Sequence, residues 1–196
     1  DMDGALWTRG GIEAARAETG FAALEPGLRR VVVGVDPPAG DGPGSDACGI
    51  VVVGVDRDDV AWVIADASVQ GLPPEGWAAA VSAAAVRFGA DRVAVEVNNG
   101  GAMVESVLRA ADAGLPVKRV HASRGKEVRA EPVSTHYARG RVKHAGRFPE
   151  LEDQMCAMTY RGYAGAGSPD RCDALVWAVT ELLGGARVAV PSVRVI

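Results

Sequence analysis

Five apolar runs rich in β-branched residues recur along the chain, and they predict the strands of a sheet. The runs cover residues 29–36, 48–56, 60–68, 91–98 and 115–123. Near-continuous apolar runs such as VVVGVD are typical of strands that are buried on both faces. Short segments of turn residues separate the first three runs, which predicts antiparallel hairpins rather than crossover connections.

After the third run the apolar positions change to a helical spacing. Residues 74–88 place Trp77, Val81, Ala84 and Phe88 at intervals of three or four, which predicts a helix with one face towards a core. Similar patterns predict helices at 100–112, at 126–140 with an interruption near Pro132, at 148–158 and at 168–183. Three consecutive strands followed by alternating helices and strands indicate a mixed five-stranded α/β sheet.

The segment before the first strand reads as an amphipathic helix and a linker, broken at Pro26 and Gly27. Trp7 and Ile12 have no evident partner in this segment, so we expect it to pack against a neighbouring domain of a larger protein. The predicted organisation is a helical remnant at 1–28, one domain at 29–185 and a tail at 186–196.

Composition narrows the setting of this domain. With 196 residues, 48% of them hydrophobic, the chain can bury one sizeable core. Three widely spaced cysteines form no C-x-x-C pair, which suggests neither a zinc site nor a disulfide framework and favours a reducing, cytosolic setting. No run of 18 apolar residues predicts a membrane span, so no membrane partner is expected.

The charge is unevenly distributed. The net charge is −4, yet residues 118–147 carry nine basic against two acidic residues. Because the local field governs contact, this segment favours binding of a polyanion, although a solvated helix face is the alternative. The basic residues are Lys118, Arg119, Arg124, Lys126, Arg129, Arg139, Arg141, Lys143 and Arg147.

Carboxylates stand where predicted strands meet their loops. Asp36 ends the first strand, and Glu96 lies among valines in the fourth. If these strands are parallel neighbours, both carboxylates emerge at the carboxyl edge of the sheet. Asp173 lies in an apolar helix that must pack on the sheet, with Asp170 one turn earlier on the same face.

Converging carboxylates repel one another unless a cation neutralises them. Oxygen ligands without His or Cys suit Mg²⁺ or Mn²⁺, and two such ions can activate water against a phosphodiester. Roles without a metal are also open to these acids: Asp36 can cap a turn, Glu96 can pair with an arginine, and Asp170 can stabilise a helix start.

Nucleotide-binding motifs are not found. The segment ending in SRGK lacks the first glycine of a G-x-x-x-x-G-K loop, because Val120 stands there, and Glu127 replaces its final Ser or Thr. We therefore expect no ATP hydrolysis by this chain.

Four segments, taken in order, resemble a known family: VVVGVDPPAG with GIVVVGVD, VAVEVNNGGAMV, ASRGKEVRAEPV with GRVKHAGRFPELEDQM, and SPDRCDALVWAV. Together they are similar to the C-terminal nuclease domain of the large terminase subunit of tailed phages and phage-derived gene transfer agents. The resemblance covers residues 29–184. It implies a ribonuclease H-like fold with strand order 3-2-1-4-5, in which strand 2 runs antiparallel to the others.

The resemblance also implies roles for individual residues. Asp36, Glu96 and Asp173 match the metal-binding catalytic acids, and Asp170 is a further candidate ligand. The residues expected to touch the DNA backbone are Lys126, Arg129 and a basic hairpin or loop that contains Arg139, Arg141, Lys143 and Arg147.

The function that the resemblance implies is a metal-dependent endonuclease that cuts concatemeric double-stranded DNA with low sequence specificity during genome packaging. The family's partners are a packaging ATPase domain, a portal and a small terminase subunit, in the cytoplasm of a bacterial host. Two alternatives stay open: a Holliday-junction resolvase or ribonuclease H, and a nucleic-acid-binding module that does not cleave.

Overall fold

The computed structural model describes residues 2–38, 46–98 and 101–184. The strands are β1 (Leu28–Asp36), β2 (Gly49–Asp56), β3 (Ala61–Asp66), β4 (Arg92–Glu96), β5 (Val117–Val120), β6 (Val142–His144), β7 (Met158–Thr159) and β8 (Gly162–Tyr163). The helices are α1 (Arg9–Ala15), α2 (Phe21–Leu24), α3 (Pro74–Arg87), α4 (Gly101–Ala111), α5 (Lys126–Ala138), α6 (Pro149–Ala157) and α7 (Asp170–Leu183). In the described part of the chain, no helix has the length and apolar character needed to cross a membrane.

The main sheet has six strands in the order β5-β4-β1-β2-β3-β6. Strand β2 is antiparallel to β1 and β3, whereas β4, β5 and β6 are parallel to their neighbours. The predicted order of the five long strands and the antiparallel strand 2 are confirmed. The prediction missed β6, because three residues with a lysine in the middle give too short an alternation to recognise in a sequence.

Alternation along β1 divides the core into two layers. Val31, Val33 and Val35 pack with α3 and α4 on one face, and Val32 packs with α7 on the other. The helices α1, α5 and α6 lie on the α7 side of the sheet. Because both faces are covered by helices, the central strands read as continuous valine runs.

Helix α7 lies directly on β1 and β2 because these strands carry glycine beneath it. A Cβ on Gly34 would lie 2.0 Å from the carbonyl oxygen of Ala174, and one on Gly49 would lie 2.0 Å from that of Asp170. No other residue type leaves room for this approach, since backbone atoms occupy the space that a side chain needs.

The N-terminal segment packs into the same core. Trp7 and Ile12 are 3% and 1% exposed, in the cluster that includes α7 residues. The amide of Leu6 donates to the carbonyl of Met158 at 2.8 Å. The expectation that Trp7 and Ile12 pack against a neighbouring domain is corrected accordingly. The origin of residues 1–28 as a linker stays a prediction, and residues 186–196 lie outside the described part of the chain.

A buried polar network fastens this segment to the domain. The guanidinium of Arg16 contacts both carboxylate oxygens of Glu152, at 2.9 and 3.0 Å. His144 Nδ1 lies 3.1 Å from Glu152 Oε1, and its Nε2 lies 2.8 Å from the hydroxyl of Tyr137. Burial opposes the charge on Glu152, but the hydrogen bonds from His144 and Arg16 outweigh it and hold its pKa well below the usual range.

We expect Glu152→Gln to lower the free energy of unfolding by about 3–5 kcal/mol, because it removes the buried carboxylate that pairs with Arg16 and leaves this buried guanidinium only the exposed Glu13. Urea denaturation at pH 7 measures the loss. Glu150→Gln, at an exposed position of the same helix, is the matched control and is expected to change stability by less than about 0.5 kcal/mol. Equal effects of the two substitutions would contradict the role of the network.

We expect Gly34→Ala to destabilise the fold by about 1–3 kcal/mol or more, because the new methyl group meets the backbone of α7. Gly54→Ala, on the opposite face of the sheet, is the control. Its methyl group would meet the end of the Leu28 side chain at 2.8 Å, which can move aside, so the loss should be smaller. Urea denaturation compares the two, and a larger loss for Gly54→Ala would refute the packing argument.

Candidate metal centre

Asp36 and Glu96 emerge side by side at the carboxyl edge of the sheet. Strands β1 and β4 are parallel neighbours, and Val35 pairs with Val95 immediately before the two acids. Since Val35 and Val95 face α3 and α4, the next residue on each strand faces α7. The sheet register therefore places two carboxylates next to each other beneath the start of α7.

Helix α7 supplies two more carboxylates. It begins at Asp170 over Gly49 and crosses Gly34 at Ala174, so its first turn lies against the ends of β1 and β2. Asp173 is 1% exposed and Asp170 is also buried. Asp173 thus comes to the edge where Asp36 and Glu96 emerge, and Asp170 lies one turn earlier.

Two cations from α5 lie among these acids. Lys126 Nζ is 2.5 Å from Asp173 Oδ2 and 3.2 Å from the hydroxyl oxygen of Ser168. Arg129 bridges two acids, with Nη1 3.3 Å from Glu96 Oε2 and Nη2 3.5 Å from Asp173 Oδ1. Lys126 and Arg129 are therefore the predicted basic residues that the structure brings to the acids.

The acids perturb one another. Burial raises the pKa of Asp36 well above its usual range, and the carboxylates of Asp173 and Glu96 raise it further. Burial also raises the pKa of Asp173, although Lys126 and Arg129 oppose this. These mutual effects mean that the three carboxylates lie within electrostatic range of one another.

Asp170 has partly different surroundings. Burial raises its pKa, a hydrogen bond with Ser168 lowers it, and the carboxylate of Asp46 raises it again. Asp46 lies in the loop before β2. Asp170 therefore stands between the main cluster and this loop, and a role as a metal ligand stays a prediction.

The chemistry of the site fits a hard divalent cation. Four carboxylates, those of Asp36, Glu96, Asp170 and Asp173, share two cationic side chains, and oxygen-only ligands suit Mg²⁺ or Mn²⁺. Asp173 Oδ2 is buried, and the group in contact with it is a cation, the Lys126 ammonium.

The site is nevertheless not a ready-made cage. Among residues 2–38, 46–98 and 101–184, no three Asp, Glu, His or Cys side chains are already arranged to hold a metal ion. Glu96 and Asp173 contact Arg129 instead, and Lys126 contacts Asp173. Cations of the protein thus take up part of the negative charge that a metal ion would neutralise.

The other predicted DNA-binding residues lie away from the acids. Helix α5 carries the chain about 18 Å from Lys126 before Arg139 follows it. Arg141 contacts the carbonyl of Asp59 at 3.5 Å, at the edge of the sheet opposite Asp36. Residues 139–147, predicted as a hairpin or loop, therefore consist of strand β6 and the short connections before and after it.

Lys143 is the middle residue of that strand, and Arg147 follows the strand. Lys143 Nζ lies 5.2 Å from the ring centre of Trp62, and Arg147 Nε lies 3.5 Å from a carboxylate oxygen of Glu18. The structure brings neither of them to the acidic cluster. Contact of Arg139, Arg141, Lys143 and Arg147 with DNA stays a prediction.

Sequence reasoning missed Trp177 as a member of the site. Its indole nitrogen donates to Glu96 Oε2 at 2.8 Å, and the guanidinium carbon of Arg129 lies 4.7 Å from its ring centre. The available signal is its spacing of four residues from Asp173, which puts both on one face of α7. In an apolar run, however, a tryptophan reads first as a core residue.

The sheet order, with an acid at the end of β1, another at the end of β4 and two on the last helix, defines a ribonuclease H-like domain. The profile of the terminase RNaseH-like domain family matches residues 33–182. The chain belongs to this family. No curated protein sequence matches the chain.

Several solved structures with a similar fold are terminase nucleases. The large terminase nuclease from thermophilic phage G20c with bound magnesium has a TM-score of 0.61 and 17% identity, over 79% of this chain and 84% of that one. A mutant nuclease domain of the large terminase subunit gp2 of bacterial virus Sf6, with manganese and β-thujaplicinol, has a TM-score of 0.63 and 14% identity, over 89% and 98%. The human cytomegalovirus terminase nuclease domain, manganese-soaked with an inhibitor bound, has a TM-score of 0.63 and 15% identity, over 90% and 95%.

We expect Asp36→Asn to stabilise the protein in EDTA by about 0.5–2 kcal/mol, because it removes a buried charge that Asp173 and Glu96 repel. When folding raises the pKa of an acid, the folded state becomes less stable as the pH rises above the pKa of that acid in the unfolded chain, about 3.9 for Asp. The wild type should therefore lose stability above about pH 4 through this group, and the variant should not. Urea denaturation in EDTA across pH 4–8 measures both effects.

Asp56→Asn is the control, since Asp56 ends β2 as Asp36 ends β1. Its carboxylate accepts hydrogen bonds from Trp62 Nε1 at 2.9 Å and from two backbone amides, and these outweigh burial and lower its pKa. This substitution should destabilise the protein. If Asp36→Asn also destabilised it in EDTA, the repulsion argument would fail.

Proposed function

We propose that this chain is a metal-dependent endonuclease that cuts concatemeric double-stranded DNA, with low sequence specificity, during packaging of a phage or gene-transfer-agent genome. The observation that carries the proposal is the convergence of Asp36, Glu96 and Asp173 at the carboxyl edge of the sheet. Membership of the terminase RNaseH-like domain family supports it. Magnesium or manganese in the solved structures of similar fold supports the choice of metal.

Asp36, Glu96 and Asp173 would hold the metal, with Asp170 as a further candidate ligand. A bound pair of Mg²⁺ or Mn²⁺ ions supplies activation of water and stabilisation of the leaving oxygen of a phosphodiester. The carboxylates would place the cleavage reaction at the carboxyl ends of β1 and β4, beneath the first turn of α7. Burial of Asp173 and Asp170 excludes bulk water and strengthens their attraction for a cation.

Lys126 and Arg129 hold the acidic cluster together in the metal-free protein. In the loaded enzyme the Lys126 ammonium, 38% exposed in its side chain, can turn from Asp173 towards a phosphate of the substrate. Arg129 is far less exposed and is held between Glu96 and Asp173, so its part is to balance charge within the site.

The remaining basic residues extend the DNA-binding surface in this proposal. Arg139 and Arg147 are exposed, and Arg141 and Lys143 are partly buried beside β3. A duplex that contacts Lys126 and Arg139 together would lie along α5, because the helix joins the two positions. Such contacts with the phosphates give affinity that falls with salt and carries little sequence information.

The proposal includes the family's setting. The packaging ATPase domain, the portal and the small terminase subunit would be the protein partners, in the cytoplasm of a bacterial host. The family membership supports a packaging role in general, and these individual partners follow from the resemblance alone.

Nicking of supercoiled plasmid in Mg²⁺ or Mn²⁺ tests the function. We expect Asp36→Asn, Glu96→Gln and Asp173→Asn each to lower the cleavage rate by more than about 100-fold, because each removes a metal-binding carboxylate. Glu131→Gln, at an exposed position of α5, is the control and should cleave like the wild type.

Several results would overturn the proposal. If a variant with all three substitutions, Asp36→Asn, Glu96→Gln and Asp173→Asn, cleaved like the wild type, these carboxylates would have no part in catalysis. Cleavage confined to four-way junctions or RNA–DNA hybrids would favour a resolvase or a ribonuclease H. Salt-sensitive DNA binding without cleavage in either metal would favour a binding module.

A further inference from the structure

We infer that Trp177 is a positioning residue for the metal-binding carboxylate of Glu96; this inference rests on the proposed metal site. The hydrogen bond from its indole nitrogen to Glu96 Oε2, at 2.8 Å, joins two elements that each supply an acid to the site. Glu96 comes from β4, and Trp177 comes from the helix that carries Asp173.

The geometry gives Trp177 the function of a spacer. Asp173 and Trp177 are separated by one helical turn, which is rigid and about 6 Å long. By holding Glu96, Trp177 fixes that carboxylate relative to Asp173. The hydrogen bonds that Glu96 accepts from Trp177 and Arg129 both use Oε2, which leaves Oε1 for a metal ion.

The indole suits this task because it is neutral. Arg129 also contacts Glu96, at 3.3 Å, but its positive charge competes with a divalent cation for the same carboxylate. An indole N–H donates one hydrogen bond and adds no charge, so it can hold Glu96 while a metal ion is bound. Hydrogen-bond partners of metal ligands commonly change metal affinity in this way.

Trp177 also holds Arg129. The guanidinium carbon of Arg129 lies 4.7 Å from the ring centre, within the range of a cation–π interaction. The ring can therefore keep Arg129 in contact when the contacts of Arg129 with Glu96 and Asp173 loosen. Phenylalanine at this position keeps a ring face but loses the N–H donor, so it separates the two contributions.

Trp177→Phe tests the inference through Mn²⁺ binding by isothermal titration calorimetry, without reference to cleavage. We expect the dissociation constant to rise about 10–100-fold. Trp62→Phe is a closely matched control, because Trp62 Nε1 donates to Asp56 Oδ2 at 2.9 Å and its ring lies beneath Lys143. It should leave Mn²⁺ binding unchanged.

A double-mutant comparison separates positioning from general packing. In a Glu96→Gln background, Trp177→Phe should weaken Mn²⁺ binding by less than about twofold, because the carboxylate on which it acts is gone. A full further loss in that background would refute action through Glu96. Wild-type Mn²⁺ affinity in Trp177→Phe alone would also refute it.

An NMR measurement on the wild type covers the case in which the variant does not fold. The chain has four tryptophans, so four indole N–H signals are expected. The Trp177 signal should stay protected from hydrogen exchange when Mg²⁺ is added and should shift, whereas that of Trp62 should not shift. A Trp177 indole that exchanges freely with Mg²⁺ present would overturn the inference.

The failure of this inference is distinguishable from failure of the proposed function. If the wild type binds Mn²⁺ but cleaves no DNA, the nuclease proposal fails while the binding data still test Trp177. If the wild type cleaves DNA and Trp177→Phe binds Mn²⁺ normally, only the inference on Trp177 fails.

Discussion

The close contact between α7 and the sheet is the constraint on which the rest of the structure depends. Gly34 and Gly49 let the backbone of α7 lie where side chains would otherwise stand. This approach buries the apolar face of α7 and sets its first turn over the ends of the central strands. The same contact brings Asp173 to Asp36 and Glu96, so packing and site geometry have one cause.

The cost of that arrangement is electrostatic. Burial of Asp36, together with repulsion from the carboxylates of Asp173 and Glu96, raises its pKa well above the usual range. Lys126 and Arg129 relieve part of this repulsion from a neighbouring helix. Without a metal ion, Lys126 and Arg129 therefore hold the carboxylates together, and the negative charge of these carboxylates would attract a divalent ion.

Local patterns predicted much of the fold because they reflect burial directly. Valine runs marked the long strands, and helical spacing marked α3 and α4 within a residue or two of their ends. Pro132 did not interrupt α5 as expected, since the helix runs from Lys126 to Ala138. Strand β6 and the burial of Trp7 were missed, because both depend on partners distant in sequence.

The sequence by itself determined which residue types end the strands and start the last helix, and so which acids can meet at one edge. Four motifs in order also indicated the family and the strand order. Only the tertiary structure decided the partners: Lys126 and Arg129 lie at the acids, whereas Arg139 and Arg141 follow the far end of α5. The contacts of Trp177 with Glu96 and Arg129 were likewise decided only by the tertiary structure. The physical reason is that side-chain pairing depends on the close approach of elements far apart in the chain, which no local pattern encodes.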